Sequence, residues 1–504
     1  MGMPRRTLVL LSVGLVLLAL AEGPGRAAAP GGPGLPGPGP RLARLLSRPP
    51  LSGQRIGLLA IDAGTGKVLV AVNPDRALVP ASTVKLVTLA CALHRLGPAF
   101  RARTTFLAAS RPGPSGVLPG PLWIRGGGDP LLRVEDLWVA LRELAALGVD
   151  RIEGDVVLDD TLFEEACRPA SWPRRRVPDP YDAPQGALSI AWDSVELIVL
   201  PGGRPGTPAR VRFFPLSHPC RVLNRTRTGP PGSRARLSVE VREEGAGTVV
   251  VRGTIPAGAD PWRRWIHLGH PGEVAAAAVR ELLGRAGITL AGKVRRGRVP
   301  GNAALVEILV HESPPLADLA KAIAKHSSNY GAEMLTRLLG VESGEEVPGT
   351  TMTGVRVLRA CLADLGVRDA RVRLVDGSGF GRENRLTARA LVDLLAAAGR
   401  HPAWGPELLV ALPRAGEDGS LRDRLSGWRG RIRGKTGTLR GVAALAGRAD
   451  LPSPSGAARA ILFAVLLNRA PDAPPVGAAE VDRIVDALLR DVEERGRALP
   501  SARP

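Results

Sequence analysis

Ser82-Thr83-Val84-Lys85 sets a hydroxyl and an amine three residues apart. On a helix, residues i and i+3 share a face, so these two groups meet. A serine hydroxyl is a poor nucleophile at neutral pH until a neighbouring base takes its proton. A lysine can be that base when burial and nearby positive charge lower its pKa. Backbone N–H groups at the helix N-terminus would face a developing oxyanion. The spacing alone is a weak signal, because Ser and Lys fall three apart by chance in many proteins. It gains weight here because only six of the 68 basic residues are Lys, and no other Lys follows a Ser at this distance.

Two further elements supply what such a nucleophile needs. Ser327-Ser328-Asn329 offers a second hydroxyl and an amide, with Ala332-Glu333 following in a helix. Lys435-Thr436-Gly437-Thr438 offers a cation and two hydroxyls on an expected strand, with Gly437 letting a ligand approach the backbone. Each alone is more often a cap or a turn. In this order, S-x-x-K, then S-x-N, then K-T-G, they form the set used by serine acyl-enzymes that open β-lactams or D-alanyl peptides.

The elements that must position these groups are legible around them. Residues 56–61 and 68–72 are apolar runs with the turn Asp62-Ala63-Gly64-Thr65-Gly66 between them, a hairpin pattern. Pro80-Ala81-Ser82 opens a helix that runs to about Leu96, and 316–339 reads as one helical stretch. Residues 461–467 read as a buried strand, and the last helix puts Val481, Ile484, Val485, Leu488 and Leu489 on one face. From about residue 103 to 300, short apolar runs alternate with Gly/Pro turns, a mostly β pattern with helices near 134–147 and 274–286.

With these motifs in place, the chain resembles the class C low-molecular-weight penicillin-binding proteins, the D-alanyl-D-alanine carboxypeptidase/endopeptidase group (peptidase family S13). The resemblance covers most of 50–490, and its mark is the long insertion between Lys85 and Ser327. Gly128-Asp129-Pro130, Gly154-Asp155, Tyr181-Asp182-Ala183-Pro184, Ala187-Leu188-Ser189 and Asp376-Gly377-Ser378-Gly379 are also similar to the family. Asp182, Asp193, Phe380-Gly381-Arg382 and His326 depart from its usual pattern. The resemblance implies that Ser82 attacks the carbonyl between two D-alanines while Lys85 takes its proton. It implies an oxyanion hole from the backbone N–H groups of Ser82 and Thr438. Ser327 would relay a proton to the leaving amine, Asn329 would hold the substrate amide, and Lys435 would set the electrostatics. Thr436, Gly437 and Thr438 would line the place of the terminal carboxylate. Arg382 would meet the acidic side chain of diaminopimelate, and Asp179 its amino end.

The expected fold is α+β: a β-lactamase/transpeptidase-like domain, an antiparallel sheet flanked by helices, with a large, mostly β insertion. The expected division is a signal peptide at 1–29, a Gly/Pro-rich linker at 30–44, a catalytic domain from 45–103 and 303–495, inserted domains at 104–302, and a tail at 496–504. Arg5, Arg6, the apolar run at 8–20 and small-residue sites at 19–21 and 27–29 have the layout of an export signal. The mature protein is therefore expected in the periplasm or at the cell wall. Cys167 and Cys220 are a candidate disulfide pair, with free buried thiols the alternative.

The formal charge of +20 suits anionic surfaces and leaves open peripheral contact with membrane or wall, although scattered Arg on solvated faces explains it better, since no basic run is dense enough for a binding tail. Aromatic residues are 3% of the chain, too few for a single-strand stacking platform, so no nucleic-acid partner is expected. Nothing implies a metal or organic cofactor. The expected partners are peptidoglycan stem peptides and, as covalent inhibitors, β-lactams. Two rival readings are a β-lactamase or related amidase/esterase and a catalytically silent wall-binding protein. The seven histidines accompany no G-x-S-x-G elbow, which disfavours a Ser-His-Asp triad.

Overall fold

The computed structural model describes residues 35–497, except 165–167, 174–178, 218, 243–246, 343, 345–347 and 453–458. The expected signal peptide, the first part of the linker, Cys167 and all but the start of the expected tail lie outside the described residues.

Five antiparallel strands form the central sheet, in the order Ile432–Leu439, Val442–Leu451, Arg459–Asn468, Arg55–Asp62, Val68–Val72. The two ends of the chain thus meet in one sheet: Leu58 pairs with Val465, and Lys435 with Ala446. Alternation divides the strands between two cores. Leu58, Ala60, Phe463, Val465 and Leu467 face the C-terminal helix Ala478–Arg497, through Ile484, Val485 and Leu488. Leu59, Ile61, Leu462, Ala464 and Leu466 face the other way. There they share one core with Val84–Leu96, Leu316–His326, Asn329–Glu342, Thr351–Asp364 and Ala388–Gly399, the last of which packs on the sheet. Burial on both faces is why 461–467 is apolar without interruption. The molecule is α+β, an antiparallel sheet flanked by helices and carrying a large insertion.

The insertion has its own core, built around Phe106, Leu141, Ile152, Leu197, Val251 and Val279. Its main sheet runs Val294–Arg296, Val156–Asp159, Leu122–Arg125, Arg103–Ala108, Val306–Glu312. The last of these strands falls on the catalytic side of the expected boundary at 302. Instead it pairs antiparallel with Arg103–Ala108, Glu312 opposite Arg103, so the chain leaves the insertion beside the point where it came in. Helices Val134–Ala146 and Pro271–Ala286 cover this sheet, and three three-stranded sheets complete the insertion.

Three other expectations are corrected. Residues 40–44 are not linker: Pro40–Leu46 is a helix, with Leu42 buried and its backbone N–H donating to Asp491 Oδ2 at 3.0 Å. The stretch 316–339 is not one helix, because Ser327 takes a left-handed φ of 54° and separates Leu316–His326 from Asn329–Glu342. The disulfide joins Cys91 to Cys361, tying Val84–Leu96 to Thr351–Asp364, whereas Cys220 is a free thiol.

Candidate active site

The Ser82 turn is built from a strained residue. Ala81 holds φ 49°, a left-handed conformation that costs an L-residue about 1 kcal/mol or more. Ala81–Thr83 forms a single 3-10 turn, braced by Thr83 Oγ1 donating to Pro80 O at 2.8 Å, and Val84–Leu96 continues as α-helix. The i, i+3 spacing then brings Lys85 Nζ to 3.0 Å from Ser82 Oγ.

Lys85 is fully buried, and its Nζ also donates to Asn329 Oδ1 at 2.7 Å and to Ser378 O at 2.6 Å. Burial pulls its pKa down to about 7, against the opposing pull of the Asp376 and Glu333 carboxylates. The amine is therefore poised to exchange a proton near neutrality.

The break at Ser327 is what delivers the second motif. It turns the chain so that Ser327 accepts from Lys435 Nζ at 2.8 Å, while Asn329 starts the next helix facing Lys85. Asn329 is buried, and its Nδ2 has no partner. Lys435 also donates to Thr436 O at 2.9 Å, and burial, then Lys85, hold its pKa well below the usual lysine range.

The Lys435 strand lies hard against the Ser82 turn. A Cβ on Gly437 would sit 2.7 Å from Pro80 O and 3.1 Å from Ser82 N, so only glycine permits this approach. Thr436 is buried, with its hydroxyl 2.6 Å from Ser420 Oγ, and Thr438 is exposed at the rim. The structure thus brings together Ser82, Lys85, Ser327, Asn329, Lys435, Thr436 and Gly437.

Asp179 and Arg382 line two different depressions. A cavity of about 980 Å³ is lined by Asn329, Ser328, Tyr330, Asp179, Tyr181 and Trp192. Asp179 thus shares a cavity with Asn329, and its Oδ1 accepts from Tyr181 N at 3.0 Å. Arg382 lines a separate depression and donates from Nη1 to Arg440 O at 3.0 Å.

Sequence reasoning assigns no role to three groups that the structure places around the cluster. Asp376 accepts from Gly379 N at 2.7 Å, Gly381 N at 2.8 Å and Asn384 Nδ2 at 3.1 Å, which fixes the loop whose Ser378 carbonyl holds Lys85. Glu333 accepts from Thr351 Oγ1 at 2.6 Å and Gly377 N at 3.1 Å, and burial raises its pKa to about 7. Ser420 reaches Thr436 from a short turn at Gly419–Leu421. The Asp-Gly-Ser-Gly run is the available signal for the first of these; nothing in the sequence marks Ser420. Among the departures from the family, Asp182 accepts from Arg168 Nη2 at 2.7 Å, and Asp193 accepts from Ser189 Oγ at 2.8 Å and Tyr330 OH at 3.2 Å. Among the described residues no group of three or more His, Cys, Asp or Glu is arranged to hold a metal ion.

The sequence and the fold both resemble known proteins. The profile of the D-Ala-D-Ala carboxypeptidase 3 (S13) family matches residues 40–488. The chain is 35% identical to the D-alanyl-D-alanine carboxypeptidase of Actinomadura sp. (strain R39), over 82% of this chain and 78% of that one. It is 26% identical to the D-alanyl-D-alanine carboxypeptidase DacB of Haemophilus influenzae, over 78% of this chain and 82% of the relative. The fold is similar to the crystal structure of penicillin binding protein 4 (dacB) from Haemophilus influenzae, with TM-score 0.75 and 24% identity over 90% of this chain and 99% of that one. A family match that runs through both chain ends and the insertion between them shows that this chain belongs to the D-Ala-D-Ala carboxypeptidase 3 (S13) family of serine-type carboxypeptidases.

Proposed function

We propose that Ser82 is the nucleophile of a D-alanyl-D-alanine carboxypeptidase/endopeptidase acting on peptidoglycan stem peptides. The observation that carries this reading is the 3.0 Å contact between Ser82 Oγ and a buried Lys85 whose pKa is about 7. Neutral Lys85 takes the hydroxyl proton as Ser82 Oγ bonds to the carbonyl carbon between the two D-alanines. The backbone N–H groups of Ser82 and Thr438 hold the developing oxyanion. The unpartnered Asn329 Nδ2 donates to the carbonyl of the preceding substrate amide, which supplies the acceptor this buried amide lacks.

As the C–N bond breaks, the proton that Lys85 took from Ser82 passes through Ser327, whose hydroxyl is held by Lys435, to the leaving nitrogen, and Lys85 is neutral again. Thr436 and Thr438 bind the terminal carboxylate, with Lys435 behind them. Water then attacks the ester carbon, returns a proton to Ser82 Oγ and frees the shortened peptide. A β-lactam would acylate Ser82 in the same way, through the carbonyl of its ring amide. The same reading makes 45–103 and 303–495 one catalytic unit, except that the insertion extends to the strand ending at Glu312. It also places the mature enzyme outside the cytoplasm, in the periplasm or at the wall.

D-Alanine release from pentapeptide muropeptides tests the reading. Ser82→Ala is expected to lower kcat/KM by at least about 10⁴-fold. Equal release by the wild type and the variant would overturn it.

A further inference from the structure

One sheet of the insertion turns a face of arginines to solvent. Its strands Arg221–Gly229, Thr248–Pro256 and Arg236–Arg242 lie side by side in that order. Leu237, Val239, Val241, Val249 and Val251 point inward, onto the core of the insertion. Alternation therefore turns four positions of each strand outward. Six of these twelve are arginines: Arg221, Arg225 and Arg227 on the first strand, Arg252 on the middle one, Arg236 and Arg242 on the third. The register sets Arg225 beside Arg252, puts Arg221 and Arg242 on either side of Thr248, and puts Arg227 and Arg236 on either side of Thr254. All six are exposed.

Arginine makes up 62 of the 504 residues, so composition alone would put one or two on twelve positions. The charge is not neutralised within the face. Glu240 is the one carboxylate among the outward positions, and it is held by Arg242 at 3.0 Å and Arg252 at 3.7 Å. Among the described residues, Arg221, Arg225, Arg227 and Arg236 make no ion pair, while Glu243 and Glu244, which follow Arg242 in the sequence, lie outside those residues. Like charges gathered in this way repel one another, so the face is suited to an anion. The strand from Arg221 to Arg227 is about 20 Å long and the sheet about 10 Å wide, so one small anion cannot span it and a polymer with repeated charges can. No outward position is aromatic, which leaves no platform for stacked bases. Leu223 is half-buried and Val250 buried, so no apolar side chain is offered to a membrane.

We infer that this face docks the enzyme on the peptidoglycan meshwork, through free carboxylates on wall peptides other than the one being cleaved. The inference takes its polymer from the proposed function, because the wall that carries the substrate presents such carboxylates at every repeat. Guanidinium groups pair carboxylates through two parallel N–H bonds. A single exposed pair of this kind is weak, but several engaged along one polymer reinforce one another. The surface is separate from the place of chemistry: it packs on the core of the insertion, and none of the six arginines lines the cavity beside Asn329. It therefore raises the residence of the enzyme on the wall and leaves the acylation of a small soluble substrate unaltered.

The test is co-sedimentation with purified peptidoglycan stripped of attached phosphate polymers, at about 0.05 M salt, where exposed charges are screened least. One variant combines Arg221→Gln, Arg225→Gln, Arg227→Gln and Arg236→Gln. A control removes the same charge from exposed positions elsewhere: Arg76→Gln, Arg111→Gln, Arg298→Gln and Arg429→Gln. The face variant is expected to bind roughly tenfold or more weakly than the wild type, and the control nearly as well as the wild type. Amidating the carboxylates of the same peptidoglycan is expected to weaken wild-type binding by a similar factor. D-Alanine release from a soluble muropeptide is expected to run at the wild-type rate in both variants, which shows that they are folded. Equal loss in the face and control variants overturns the inference, because net charge alone would then explain binding. Unchanged binding by the face variant, or to amidated peptidoglycan, overturns it too. So does a wild type that binds vesicles of phosphatidylglycerol and phosphatidylcholine in equal parts but not stripped peptidoglycan. Failure of the wild type to release D-alanine overturns the Ser82 reading, and binding by the same preparation still decides the docking face.

Discussion

Two buried lysines carry the proposed chemistry at the residue scale. Lys85 and Lys435 are both fully buried, and the charge on Lys85 adds to burial in lowering the affinity of Lys435 for a proton. If Lys85 is the base, only its neutral form works, so acylation should rise with pH through about 7 and then level off. At pH 5 the rate should be about 100-fold below the plateau, by simple titration. Stopped-flow acylation by a β-lactam across pH 5–9 measures this; a limb centred above pH 9 would contradict it. Lys85 and Glu333 affect stability with opposite signs. Lys85 has its folded pKa lowered from 10.5 to about 7, so the unfolded chain binds more protons between those values and stability rises with pH there. Glu333 is raised from 4.5 to about 7, so the folded chain binds more protons across that window and stability falls as pH rises through it.

At the element scale, the proposed mechanism depends on how closely the Lys435 strand approaches the Ser82 turn. A methyl group on Gly437 would meet backbone atoms of Pro80 and Ser82 and not a flexible side chain. Gly437→Ala should therefore slow acylation by about 100-fold through misplacement of the nucleophile. Acylation within twofold of the wild type would show that the approach has slack. The motifs themselves are legible in the sequence, because residue type and short spacing carry them: Ser82 with Lys85, Ser327 with Asn329, and Lys435 with Thr436. The break at Ser327 is not. Leu316, Leu319, Ala320 and Ile323 are followed by Met334, Leu335 and Leu338, so apolar residues continue past it, and serine gives no sign of a positive φ. Asp376, Glu333 and Ser420 act through contacts between separate segments, which local spacing does not reveal.

At the scale of the whole molecule, a sheet made from both chain ends holds the site, and the insertion folds around a separate core. An unbroken apolar run reveals the buried strand at 461–467. Which cysteines meet depends instead on how two helices pack, which the sequence does not reveal. No helix among the described residues is long and apolar enough to cross a membrane. A formal charge of +20 would, if it faces the wall, hold the protein there electrostatically. Raising salt from about 0.05 to 0.5 M should release the protein from isolated sacculi, because exposed charges are screened over shorter distances. Retention that does not change with salt would count against this.

The central claim is the acyl-enzyme on Ser82. The most direct test is to label the purified protein with a fluorescent penicillin and locate the adduct by mass spectrometry. One stable adduct on Ser82, absent from Ser82→Ala, is the expected result. Labelling that persists in the variant, or a well-folded wild type that neither labels nor hydrolyses penicillin, would contradict it.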